Sequence, residues 1–168
     1  VFNLEKLRWM NLEYIKKMSP RVFFSKVKPW LEKIPSFPGD YEGEETLMKM
    51  AALFRERVRT FDEIVPQIEW FFVPPENFEE KGIEKLKKIP DWVTILKSLI
   101  DKLVREEFSE TILESLIRKH AEEHGKKAGD VIYICRLGLT GKTTTPGLFE
   151  LMSILGKNRC LHRLKSFL

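Results

Sequence analysis

The sequence predicts an all-α protein built as two helical subdomains. Three observations carry that reading. Apolar residues recur three and four apart along nearly the whole chain. Capping residues, prolines and glycines punctuate it at helix-length intervals. The 168 residues, 43% hydrophobic and 32% charged, supply enough apolar material for a helical core.

Leu4, Leu7, Trp9, Leu12 and Ile15 share one face of LEKLRWMNLEYIKKM, the first helix. Ser19-Pro20 reads as an N-cap followed by a first-turn proline. The helix it opens carries Val22, Phe23, Val27, Trp30 and Leu31, with a bend expected at Pro29. IPSFPGDYEG is a loop, and GEETLMKMAALFRER a helix rich in good helix formers. Thr60 with Glu63 forms a capping box that opens TFDEIVPQIEWFF.

The proline-rich VPPEN then places a subdomain boundary near residues 73–75. EEKGIEKLKK runs to a stop at Pro90, and WVTILKSLIDKLVR follows. Ser109 starts SETILESLIRKHAEEH, which Gly125 ends. GDVIYICRLGL is short and apolar, and its periodicity fits a strand or a buried helix equally. Thr145-Pro146 caps PGLFELMSIL, Gly156 ends it, and KNRCLHRLKSFL closes as a basic amphipathic helix.

No run of eighteen apolar residues occurs, so no membrane span is expected. Two cysteines, Cys135 and Cys160, without CxxC spacing fit an intracellular, reduced protein. The chain starts at Val1 without an initiator methionine, which fits a piece of something longer. The net charge is +4 and unevenly placed. From Val131 onward Arg136, Lys142, Lys157, Arg159, Arg163 and Lys165 face a single acid, Glu150. That asymmetry suits either a phosphate-binding surface or a solvated face beside an acidic neighbour.

Three strings carry catalytic letters without the context they need. Gly141-Lys142-Thr143 looks like the end of a P-loop, but Arg136 stands where its first glycine belongs. His120-Ala121-Glu122-Glu123-His124 matches the H-x-x-E-H of inverted zinc peptidases, yet lacks a third ligand and a cleft. Lys17-Met18-Ser19 matches part of a KMSKS loop, but it ends an amphipathic helix. No catalytic centre and no metal site are expected in these residues.

Two long stretches resemble one family. FNLEKLRWMNLEYIKKMS is similar to the segment after the catalytic part of bacterial glutamyl-tRNA synthetases. CRLGLTGKTTTPGLFELMSILGKNRCLHRLKSFL resembles their C-terminal pattern, and LFRERVRTFDEI falls between them in the right order. The resemblance implies that residues 1–18 end a stem-contact region. Residues 19–72 and 73–168 would be two anticodon-binding subdomains forming a helical cage. It implies a cytoplasmic monomer whose partner is tRNA(Glu). It also implies that these residues hold no cofactor. ATP and magnesium would belong to an upstream Rossmann domain, where a class I ligase joins glutamate to tRNA.

Site residues follow from the same resemblance. Arg57 falls on the position that reads the third anticodon letter, and Arg136 on a C-terminal anticodon contact. Thr140, Lys142, Thr144, Thr145 and Leu148 surround the latter. Lys157, Arg159 and Arg163 add phosphate attraction or solvate the last helix. The chemistry suits Arg57, since a cytosine offers O2 and N3 to a guanidinium fork. A guanine would turn N1–H and N2–H donors toward it, at a cost of about 1–3 kcal/mol. Without the resemblance, Arg57 reads as a solvated arginine between Glu56 and Arg59. The competing reading is a helical scaffold, or a stand-alone paralogue that binds a protein.

Overall fold

The computed structural model describes residues 3–38, 41 and 43–168. Part of the expected IPSFPGDYEG loop lies outside them. The described residues form ten helices and no strand. They divide into two compact units, Val1–Val73 and Pro74–Leu168.

Unit 1 holds α1 (Leu4–Lys17), α2 (Pro20–Leu31), α3 (Glu44–Ala52) and α4 (Ile64–Phe72). The Asn3 side chain caps α1 by accepting from the Lys6 N–H at 3.1 Å. Of the predicted apolar face of α1 only Ile15 is buried, while Leu4, Leu7 and Trp9 are exposed. Ser19 caps α2 through its side chain, and α2 continues past Pro29 to Leu31. Phe23, Phe54, Ile64, Ile68 and Phe71 close the core. Phe54 meets Phe71 edge to face, with ring centroids 6.3 Å apart.

Two expectations in this unit need correction. The helix predicted through Arg57 stops at Ala52, and residues 53–57 are turns. Their amides reach back three residues, as from Arg57 N to the Phe54 carbonyl at 2.8 Å. This tight path buries Phe54 and Val58, and that burial overrides helix propensity. The Thr60–Glu63 capping box is also absent. α4 starts at Ile64 with Glu63 as an uncapped N-cap, and the Glu63 carboxylate instead accepts from the Arg59 N–H at 2.7 Å.

Unit 2 holds α5 (Glu80–Leu86), α6 (Trp92–Leu103), α7 (Glu110–Glu123), α8 (Ala128–Thr140), α9 (Leu148–Leu155) and α10 (Lys157–Ser166). α8 is the apolar run that periodicity left open. It is a helix, and it packs against α5, α6, α7, α9 and α10. A helix enclosed on nearly every side is apolar on nearly every side, so its amphipathic signal disappears. Close packing needs Gly138, where a Cβ would come within 2.6 Å of the Phe167 ring. Ser109 is the N-cap of α7, but its hydroxyl makes no capping bond. α9 begins at Leu148 rather than at Pro146, with Gly147 as its N-cap. Cys135 and Cys160 are free and buried; burial raises the Cys135 thiol to about 12 and pushes Cys160 upward as well.

Candidate nucleic-acid interface

The loop 141–147 of unit 2 is built around the end of α8. Leu139 and Thr140 are still helical, and the turn begins at Gly141, the C-cap of α8. Gly141 has φ +71°, and a Cβ on it would come within 2.5 Å of the Asn77 carbonyl oxygen. Both the left-handed backbone and the lack of space require glycine. Its N–H closes α8 on the Leu137 carbonyl at 2.8 Å, and its carbonyl accepts from the Glu79 N–H at 2.9 Å.

Beyond Gly141 the side chains alternate. Lys142 and Thr144 are exposed, while Thr143 and Thr145 turn inward. The Thr143 N–H donates to Glu79 Oε2 at 2.9 Å, and the Thr143 hydroxyl donates to the same oxygen. These bonds, the hydroxyl foremost, hold the Glu79 carboxyl below its usual range, helped by the Lys142 charge. Thr145 Oγ1 accepts from Arg136 Nε at 3.0 Å and donates to the Pro146 carbonyl at 2.9 Å. The Thr140 hydroxyl donates to the Arg136 carbonyl at 2.8 Å and accepts from the Lys142 N–H at 3.1 Å. Arg136 itself is half-buried on α8.

This geometry sorts the residues expected from the sequence. Lys142, Thr144 and Arg136 come together around one loop, with Lys142 and Thr144 on the surface. Thr140, Thr145 and Leu148 lie inside the unit, where the threonine hydroxyls are bonded and Leu148 joins the core. Arg163 is also inside, only 5% exposed, and its Nη1 donates to the Leu139 carbonyl at 3.0 Å. It ties α10 to α8 instead of solvating the last helix. Arg159 is half-buried and donates to the Leu155 carbonyl at 3.2 Å, and Lys157 Nζ lies 6.0 Å from the Phe108 ring centroid.

Unit 1 separates three neighbouring arginines. Arg55 Nη1 donates to the Met18 carbonyl at 2.7 Å, closing the end of α1. Arg59 Nη1 reaches Glu5 at 3.2 Å, and the Arg59 carbonyl accepts from Asn11 Nδ2. Arg57 is exposed on the turn. Its backbone is held from both sides, by the Phe54 carbonyl and by Gln67 Nε2, which donates to the Arg57 carbonyl at 3.3 Å.

The two decoy motifs of unit 2 have structural roles. The P-loop letters follow the C-terminal end of a helix, whereas a phosphate cradle needs a helix N-terminus after the lysine. His120 is buried between α6 and α7, its Nε2–H donating to the Ile95 carbonyl at 3.0 Å. His124 Nε2 lies 3.2 Å from Ser98 Oγ, and Glu123 pairs with Lys102. Among the described residues, no three histidine, cysteine or carboxylate groups are placed to hold a metal ion.

Sequence reasoning missed Glu79, Thr143 and Gln67. Glu79 lies 64 residues from Thr143, so no local pattern joins them. Gln67 had a weak signal, since it sits one helical turn after Glu63 on the start of α4.

The described residues form an all-helical module whose loop after α8, carrying Lys142, is braced from within. Comparison with known proteins supplies the class. The chain belongs to the anticodon binding domain family, whose model matches residues 22–168. It is 38% identical over 167 residues to a glutamate–tRNA ligase of Thermus thermophilus, covering 98% of this chain and 34% of that one. It is 34% identical over 170 residues to glutamate–tRNA ligase 2 of Caldicellulosiruptor saccharolyticus, with 98% and 34% covered. The crystal structure of a glutamate tRNA ligase from Elizabethkingia meningosepticum in complex with its amino acid superposes with a TM-score of 0.88 at 26% identity. That match covers 99% of this chain and 32% of the solved one. The chain thus spans 34% of the length of these curated relatives.

Proposed function

We propose that this chain recognises the anticodon loop of tRNA(Glu) as part of a glutamate–tRNA ligase. The observation that carries the reading is the loop after α8, where Lys142 and Thr144 face outward beside Arg136. Sequence-specific RNA binding works on unstacked loop bases, read on their Watson–Crick edges. Arg57 reads the third anticodon letter and favours cytosine, because a guanidinium fork fits O2 and N3 and opposes the donors of guanine. Arg136 contacts a second base, with Thr145 orienting its guanidinium. Lys142 and Thr144 hold the backbone, and Lys157 and Arg159 add longer-range attraction.

The whole enzyme joins glutamate to tRNA in the cytoplasm and acts as a monomer. Its ATP and magnesium are handled outside these residues. The test is fluorescence anisotropy with a glutamate-tRNA anticodon stem-loop, against the same loop carrying guanine as third letter. Wild type prefers the cytosine loop, and its affinity falls steeply with added salt as counterions are released. Binding no tighter than to an unrelated hairpin sinks the reading.

A further inference from the structure

We propose that Glu79 is a positioning residue for RNA contact: its carboxylate sets the loop register that turns Lys142 and Thr144 outward together. The inference rests on the anticodon reading above. Glu79 stands at the start of α5, as its N-cap, and makes no capping bond with its side chain. Its hydrogen bonds go to the loop instead. Its N–H donates to the Gly141 carbonyl at 2.9 Å, and its Oε2 takes both the N–H and the hydroxyl of Thr143. One residue therefore grips the loop at two positions on either side of Lys142. With Thr143 held inward and Thr145 bonded to Arg136, the residues between and before them point to solvent.

The sign of the effect separates positioning from simple charge. A carboxylate beside a phosphate-binding surface repels RNA, so its removal strengthens binding if charge is all it contributes. Positioning predicts the opposite, because a loop freed of its brace spends ordering entropy on binding.

The experiment uses the whole 168-residue chain and the cytosine-bearing anticodon stem-loop. Glu79→Ala weakens binding about tenfold, as the unbraced loop pays its ordering cost on binding. Glu79→Gln stays within about threefold, since its amide oxygen still accepts from Thr143. Thr143→Val, which keeps the fold and removes one donor, gives about a threefold loss. In a Lys142→Ala background, Glu79→Ala costs clearly less, because the contact it positions is already gone. Hydrogen exchange of the Lys142 and Thr143 amides accelerates in Glu79→Ala without RNA present. Unchanged or tighter binding by Glu79→Ala, or an equal cost in both backgrounds, overturns the inference alone. Wild type that ignores the stem-loop overturns the anticodon reading and this inference with it.

Discussion

Arg57 and Arg136 carry the same guanidinium, but the two units present it by different means. Arg57 stands on an exposed turn whose backbone is gripped by the Phe54 carbonyl and by Gln67. Arg136 stands on a helix in which eight of thirteen residues are buried, and its side chain is itself bonded to Thr145. In unit 1 the side chain proposed to read the anticodon is exposed, outside the core. In unit 2 the candidate contacts share hydrogen bonds with the helix end that carries them. The proposed RNA contacts therefore leave affinity and stability separable in the first unit and coupled in the second.

The largest effect that sharpens this contrast comes from Gly141→Ala. The left-handed backbone costs a Cβ-bearing residue about 1–2 kcal/mol. The close approach to the Asn77 carbonyl adds about 1–3 kcal/mol of overpacking. Denaturant unfolding registers the sum as lost stability of unit 2, and RNA affinity falls with it. A variant that loses affinity at unchanged stability breaks the claim that the two are coupled there.

Next in size is Arg57→Ala. It abolishes the preference for a cytosine over a guanine third letter, a loss of about ten- to a hundredfold. The unfolding midpoint of unit 1 shifts little, because Arg57 is exposed. Arg136→Ala behaves differently, weakening RNA binding and also removing a bond to the buried Thr145 hydroxyl, at about 1 kcal/mol of stability. Paired anisotropy and unfolding measurements on the two variants test the comparison directly; equal stability losses would contradict it.

How far the sequence reveals this arrangement depends on what kind of signal each part leaves. The helix start at Ser19 is legible because its side-chain cap is a local event. α8 is not, because enclosure by five other helices erases the polar face that periodicity needs. The end of α3 is misread because Phe54 is drawn into the core against the propensity of its neighbours. At the candidate interface, residue type suggests cations but not their exposure. Arg55, Arg57 and Arg59 look alike in sequence, yet Arg55 and Arg59 both reach α1. Arg163 looks like a surface cation and is a buried tie to Leu139. The Glu79–Thr143 brace depends on a pairing that only the tertiary fold creates.

A smaller effect is expected from Gln67→Ala. Its amide braces the Arg57 carbonyl across an exposed hydrogen bond, so stability changes by about 0.5–1 kcal/mol. The third-letter preference weakens more than the stability does, because the turn beneath Arg57 loses one of its two supports. Preference unchanged in the face of lost stability would show that the turn holds its shape without Gln67.

Acid separates the units by the least but most orderly effect. All three histidines of the chain, His120, His124 and His162, lie in unit 2. Burial lowers the pKa of His120 from its ordinary 6.5, so the folded state favours neutral imidazole. Around it stand Ser98, Lys102, Glu123 and His124, and the nearby Lys102 charge also resists protonation. The unfolded chain then binds the proton first. The His120 contribution is complete above pH 6.5 and is lost as pH falls toward its lower folded value. Glu79 adds a second loss below the ordinary 4.5, since its folded pKa is depressed by Thr143. Glu150 works the other way, because burial raises its pKa and stability gains as pH falls through that raised value. Unit 1 has no histidine, and among its described residues the shifted groups, Glu45 and Asp62, are carboxylates lowered by Lys49 and Thr60. The acid losses from these two groups start only as pH falls through the ordinary carboxylate range. Amide hydrogen exchange read peptide by peptide from pH 7.5 downward, corrected for intrinsic exchange, shows α6 and α7 loosening first. Glu79→Gln leaves that first step in place and removes the Glu79 contribution below 4.5. If α2 and α4 loosen at the same pH as α6 and α7, His120 is not what makes unit 2 the acid-sensitive half.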